Sequence, residues 1–140
     1  MAGESRQECA DSRFRHGLKL WGPPAGLSVG IFILSSIPGD RFPRHPETLS
    51  VAVHFLEFLI LGFLLARAFS EPDAGLRVMF PVLLLCGGFG LLMELYQFTV
   101  PFRSFGTMDI LVDVLGSMTG GLSYLLMKRT GKLPGERTIK

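Results

Sequence analysis

The chain has 140 residues, 48% of them hydrophobic, with 12 Phe and only 19% charged, against about 25% charged in a typical soluble domain. A formal net charge of +2 is too small for the electrostatic footprint of a nucleic-acid binder, and no basic-aromatic pattern supports one. Two cysteines, Cys9 and Cys86, make neither a disulfide framework nor a metal-ligand spacing, and the absence of Asn removes any N-glycosylation sequon.

Residues 1–19 (MAGESRQECADSRFRHGLK) are polar and mixed in charge, and they read as a short, poorly ordered tail. Leu20 to Pro38 carries no charge and reaches the ~20 residues that a bilayer core requires. Gly22, Gly26 and Gly30 recur every four residues, a stripe that predicts close approach of another helix. Pro23 and Pro24 fall in the first turn of this span, where missing N–H donors cost little. No A-x-A-like cleavage site follows and the polar leader is long, which favours a retained helix over a signal peptide.

Residues 35–49 (SSIPGDRFPRHPETL) form a turn-rich connector. Ser50 to Ala66 is the second span, interrupted by His54 and Glu57 and closed by Arg67. Residues 71–75 (EPDAG) make a tight polar turn, and Val78 to Val100 is the third and longest span. A short turn with Pro101, Arg103 and Ser104 leads to the fourth, Ile110 to Met127, with Asp113 one turn in. The reading is all-α: a polytopic membrane protein with four transmembrane helices in one bundle, residues 20–127, between polar tails at 1–19 and 128–140. Basic residues set the orientation. Arg6, Arg13, Arg15, Lys19, Arg67, Arg77, Lys128, Arg129, Lys132, Arg137 and Lys140 fall on one side, and Arg41, Arg44 and Arg103 on the other. Positive-inside bias then places both termini in the cytoplasm, with Cys9 and Cys86 on the reducing side.

That topology gathers scattered polar residues into one layer. Spans one and three end at the outer face, and spans two and four begin there. Glu57 and Glu94 each fall roughly 10 Å below the outer boundary at 1.5 Å per residue. Gly87, Gly90, Glu94 and Gln97 share a helical face, as do Asp109, Asp113, Gly116 and Gly120, and His54, Glu57 and Leu61. Carboxylates on the faces of close-packing glycines point into the bundle. An ionisable residue inside a membrane is a functional-site hypothesis by default. The candidate catalytic groups are Glu94, Asp109 and Asp113, and the candidate ligand-binding groups are His54, Glu57, Gln97 and Arg103. Plainer roles compete: Asp109 as a helix N-terminal carboxylate, Arg103 as an interfacial snorkeller, and Gln97 as a bridge between helices. A metal site on His54, Glu57, Glu94 and Asp113 is a competing reading, but the chain lacks H-E-x-x-H and one His with three carboxylates is not a strong zinc pattern. Neither a metal nor a cofactor is expected. No nucleophile-elbow pattern supports a Ser104, His54, Asp109 triad.

The residues SSIPGD, HFLEFLILGFLLARAF and MELYQFTVPFRSFGTMDILVDVLGSMTGG resemble the VanZ-like family of small bacterial membrane proteins, over roughly Ser35 to Gly121. The family's motif positions map onto His54, Glu57, Glu94, Gln97, Arg103, Asp109 and Asp113. Ser50 and Val51 stand where the family often has Asp-Lys, Phe58 where it often has Tyr, and Met93 where it often has Asp. The resemblance implies a multi-pass protein of the bacterial cytoplasmic membrane with a cell-envelope role. In the family's namesake that role is associated with lowered susceptibility to the glycopeptide teicoplanin. The leading expectation is an outward-facing polar pocket that binds or modifies a membrane lipid or lipid-linked wall precursor. The alternatives are a proton- or ion-coupled small permease and a non-catalytic helper that packs on a membrane-protein partner through its glycine faces.

Overall fold

The computed structural model describes residues 2–38, 47–70, 75–101 and 106–131. Four helices account for nearly all of them: α1 (Ala2–Ser35), α2 (Glu47–Phe69), α3 (Met79–Gln97) and α4 (Thr107–Arg129). No strand occurs among the described residues. The connector around Asp40, Arg41 and Arg44, the turn at residues 71–74, Arg103 with Ser104, and the tail from residue 132 lie outside the described residues.

Four helical stretches are long and apolar enough to cross a membrane: Asp11–Ser35 of α1, Ser50–Phe69 of α2, Gly75–Gln97, which joins a short 3-10 turn to α3, and Thr107–Arg129 of α4. Large apolar side chains on every helix stay exposed, among them Ile33, Leu56, Leu84, Leu92, Leu111 and Leu126. In water such a surface would drive association. In a bilayer it is the lipid-facing skin of a multi-pass protein.

One expectation is corrected at the N-terminus. The stretch read as a poorly ordered tail is helical, and α1 runs unbroken for 34 residues, about 50 Å, longer than the ~30 Å bilayer core. Residues 2–19 hold no proline and many good helix formers. Extending a helix is far easier than nucleating one, and Asp11 pairs with Arg15 one turn on at 3.0 Å. Pro23 and Pro24 consequently sit inside the helix rather than in its first turn. They withhold two donors, and Ser28 Oγ donates to the Pro24 carbonyl at 3.0 Å.

The second correction concerns the glycine stripe of α1. A Cβ at Gly26 or Gly30 would meet nothing within 4 Å, so the stripe receives no helix among the described residues. Only 11% of α1's apolar window is buried, against 39% in α3 and in α4. Helix α1 is peripheral, held by a Trp21–Phe69 edge contact at 4.9 Å to α2 and a tilted Phe32–Tyr96 contact at 5.0 Å to α3.

Close packing occurs instead between α2 and α4, which run parallel. A Cβ at Gly62 would strike the Ser117 backbone, one at Gly116 would lie 2.5 Å from the Phe55 carbonyl oxygen, and one at Gly120 would overlap the Leu59 carbonyl. The absent side chains let the two backbones touch. Around this seam the core gathers Phe58, Leu61, Leu65, Ala66, Val82, Cys86, Tyr124 and Leu125. Phe63 meets Tyr124 edge-on at 5.3 Å. Helix α3 enters through a 3-10 turn, Gly75–Val78, whose first residue has φ +48° and so favours glycine. At the far end of α4, Lys128 Nζ donates to Ser70 Oγ at 2.8 Å and closes α4 onto the end of α2.

Candidate functional site

Helix geometry brings three of the sequence-flagged stripes to one end of the bundle. Glu94 and Gln97 come from the last turn of α3, Asp109 and Asp113 from the first two turns of α4, and His54 and Glu57 from the first half of α2. Glu94, Gln97 and Asp113 are buried, at 1%, 3% and 1% exposure. His54, Glu57 and Asp109 are half-buried. The cluster thus grades from wet to dry over a few residues.

Two contacts organise it. His54 Nδ1 lies 3.2 Å from Asp113 Oδ1, joining α2 to α4 inside the bundle. One hydrogen is shared between ring and carboxyl, which fixes the imidazole's orientation and leaves Nε2 as its second contact point. Asp113 fits because Gly90 of α3 lacks a side chain: a Cβ there would fall 2.7 Å from Asp113 Oδ2. The second contact is Gly106 N–H donating to Glu94 Oε2 at 2.7 Å. Gly106 is the N-cap residue of α4 and extended in backbone (φ −117°, ψ 104°). Its N–H is the donor that an acidic residue at the third helical position reaches back to in a capping box. Here a carboxylate from another helix takes that place, tying α3 to the start of α4.

Two atoms are left over. Glu94 Oε1 and Gln97 Nε2 are buried and make no hydrogen bond among the described residues. Buried polar atoms are nearly always paired, and an unpaired one costs about 1–3 kcal/mol. The Gln97 amide nitrogen reaches no partner on another helix among those residues.

His54 pairs with Asp113, and no contact joins it to Asp109 among the described hydrogen bonds. Ser117, buried beside the glycine seam, donates its hydroxyl to the Val114 carbonyl of its own helix at 2.9 Å. It is therefore committed to helix packing rather than poised as a nucleophile. Among the described residues no group of three or more His, Cys, Asp or Glu is placed to hold a metal ion.

A family model described as VanZ/LLP1 matches residues 25–128. The chain belongs to the VanZ/LLP1 family. The matched stretch begins inside α1 and ends in the last turn of α4, so it contains the whole cluster and the α2–α4 seam. No curated protein and no solved structure matches the chain.

Two contributors to this VanZ/LLP1 cluster escaped the reading of residue types. Gly106 acts through its backbone, and its only signal was the Gly-Thr-Met-Asp run that opens α4 with an acid at the third helical position. Gly90 was read as a helix-packing glycine. Its actual neighbour is a carboxylate, which no spacing rule distinguishes from a helix backbone.

Proposed function

We propose that this end of the bundle is an outward-facing pocket for the polar headgroup of an envelope amphiphile, a membrane lipid or lipid-linked wall precursor, in the bacterial cytoplasmic membrane. One observation carries the reading: two buried polar atoms, Glu94 Oε1 and Gln97 Nε2, find no hydrogen-bond partner among the described residues, beside an oriented His54–Asp113 pair. Buried polar atoms are nearly always paired, so a group from outside the chain that completes both atoms accounts for their burial. The lipid-exposed helices supply an apolar wall for acyl or prenyl chains, as a site for an amphiphile requires. Family membership and the eleven-to-three division of Lys and Arg support the envelope setting and the cytoplasmic placement of both termini.

Binding is the core of the proposal, and acid-base chemistry on the bound headgroup extends it. His54 oriented by Asp113, with half-buried Asp109 and buried Glu94 nearby, provides titratable groups in unlike surroundings, the arrangement that divides acid from base. Any effect on susceptibility to a glycopeptide such as teicoplanin then follows from headgroup binding. The half of the bundle beyond Ser117 argues against a proton-coupled permease, because α2, α3 and α4 carry no Asp or Glu there to continue a relay.

The test compares lipids retained by the purified protein with bulk membrane, and lipid and muropeptide profiles of cells with and without the gene. One amphiphile should be enriched on the wild-type protein and lost from Glu94→Gln. Retained lipid that mirrors the bulk, together with altered solute uptake, would replace this reading with transport.

A further inference from the structure

The two unpartnered atoms also restrict the chemistry of the headgroup. Glu94 Oε1 and Gln97 Nε2 belong to residues 1% and 3% exposed. Three positions apart in α3, they share a face with Cβ atoms about 5–6 Å from each other. Glu94 Oε2 is already occupied by the Gly106 N–H, so one carboxylate oxygen, an acceptor, and one amide nitrogen, a donor with two hydrogens, remain. A single oxygen bearing one hydrogen spans that gap, donating to the carboxylate and accepting from the amide.

We infer that Glu94 and Gln97 together hold one hydroxyl of an uncharged, polyhydroxylated headgroup: a sugar. This rests on the reading of the cluster as a headgroup site and goes further by naming the class. A phosphate oxygen accepts from Gln97 but sets its charge against Glu94 and leaves Oε1 unpaired. An ammonium group satisfies Glu94 and confronts the Gln97 donor with more donors. Either misfit leaves a buried polar atom orphaned, a penalty worth roughly ten-fold or more in affinity. A site built to hydrogen-bond a hydroxyl discriminates strongly against groups that cannot take its place.

The surroundings agree. Among the described residues the cluster holds four carboxyls, Glu57, Glu94, Asp109 and Asp113, beside one imidazole. Acceptors in such excess suit a polyol, whose hydroxyls all donate, and disfavour a second anion. A water molecule has the same donor and acceptor pattern, and a hydroxyl that reproduces its bonds displaces it without loss.

The experiment uses the full chain, purified in a detergent without a sugar headgroup and reconstituted in phosphatidylcholine nanodiscs. Four probes are titrated: monoglucosyl diacylglycerol, phosphatidic acid and phosphatidylethanolamine with matched chains, and free glucose. Binding is read by native mass spectrometry, and a melting curve reports folding for each variant. The glucolipid is expected to bind at least ten-fold more tightly than either phospholipid. Gln97→Leu and Gln97→Glu should each abolish that preference while staying folded. Free glucose binding as tightly as the glucolipid would uphold the hydroxyl chemistry and assign it to a soluble sugar. A preference for phosphatidic acid or phosphatidylethanolamine that Gln97→Leu removes would overturn the sugar assignment and leave the headgroup site standing. Glucolipid binding indifferent to both Gln97 variants would also overturn it, leaving the pair with a structural water only. Failure of the folded wild type to bind any probe would sink both readings.

Discussion

Gly116→Ala is expected to weaken the bundle although alanine is the better helix former. A Cβ at this position would lie 2.5 Å from the Phe55 carbonyl oxygen and 3.2 Å from the Leu59 nitrogen. Both atoms are backbone, so no rotamer change relieves them. A comfortable C–H···O contact is about 3.3 Å, so α2 and α4 must part by roughly 0.8 Å. A gap of that size forfeits about a quarter to a half of the dispersion at each contact it opens. Overpacking costs typically about 1–3 kcal/mol, and with immovable neighbours the upper end applies. Subtracting the ~1 kcal/mol that Ala gains over Gly in a helix leaves a loss of about 2 kcal/mol. The matched control is Gly26→Ala, where nothing lies within 4 Å. Only propensity acts there, so stability should hold or rise by up to ~1 kcal/mol. Equilibrium unfolding in mixed micelles measures both. Equal effects from the two substitutions, or an unchanged Gly116→Ala, would refute the assignment of the α2–α4 seam as the close-packed one.

The distribution of Lys and Arg and the His54–Asp113 contact give two more outcomes. Single cysteines placed at Ser104 and Thr48, in a background lacking Cys9 and Cys86, should react with an impermeant thiol reagent on intact cells, and those at Ser12 and Thr138 should not; labelled tails would invert the topology. A double-mutant cycle on His54→Gln and Asp113→Asn should return a coupling of about 0.5–3 kcal/mol, as expected for residues in contact at 3.2 Å, whereas His54→Gln with Asp109→Asn should return a much smaller one.

The spans and the polar layer were legible because a bilayer leaves few alternatives: charge-free runs of suitable length must be helices, and interruptions in them stand out. The faces were legible for the same reason. Glu94, Gln97 and Asp113 fall where helical spacing put them, and all three are buried. Partners were less legible. His54 was open to either aspartate on α4, and the choice of Asp113 depends on the notch at Gly90, a three-helix property. The partner of Glu94 is a backbone N–H, which carries no residue-type signal. Glycine spacing misled in α1 and sufficed in α4, because a stripe permits close approach without supplying the helix that approaches. Gly62 belongs to no stripe, and only its position against Ser117 reveals it.

The central claim, that Glu94 is a ligand group and not a strut, is tested most directly by pairing stability with lipid retention in Glu94→Gln and Glu94→Leu. Glutamine keeps an oxygen for the Gly106 N–H, so the tie between α3 and α4 survives. At the second position it replaces an acceptor with a donor, opposite the Gln97 donor. A Glu94→Gln protein should therefore melt like wild type and retain no enriched amphiphile. Leucine removes the tie and the unpaired acceptor together, and replacing buried polar groups with apolar ones is often neutral or better for stability, so Glu94→Leu should also fold and also retain none. Wild-type lipid retention by Glu94→Gln, with Glu94→Leu failing to fold, would show Glu94 to be structural and would contradict the account.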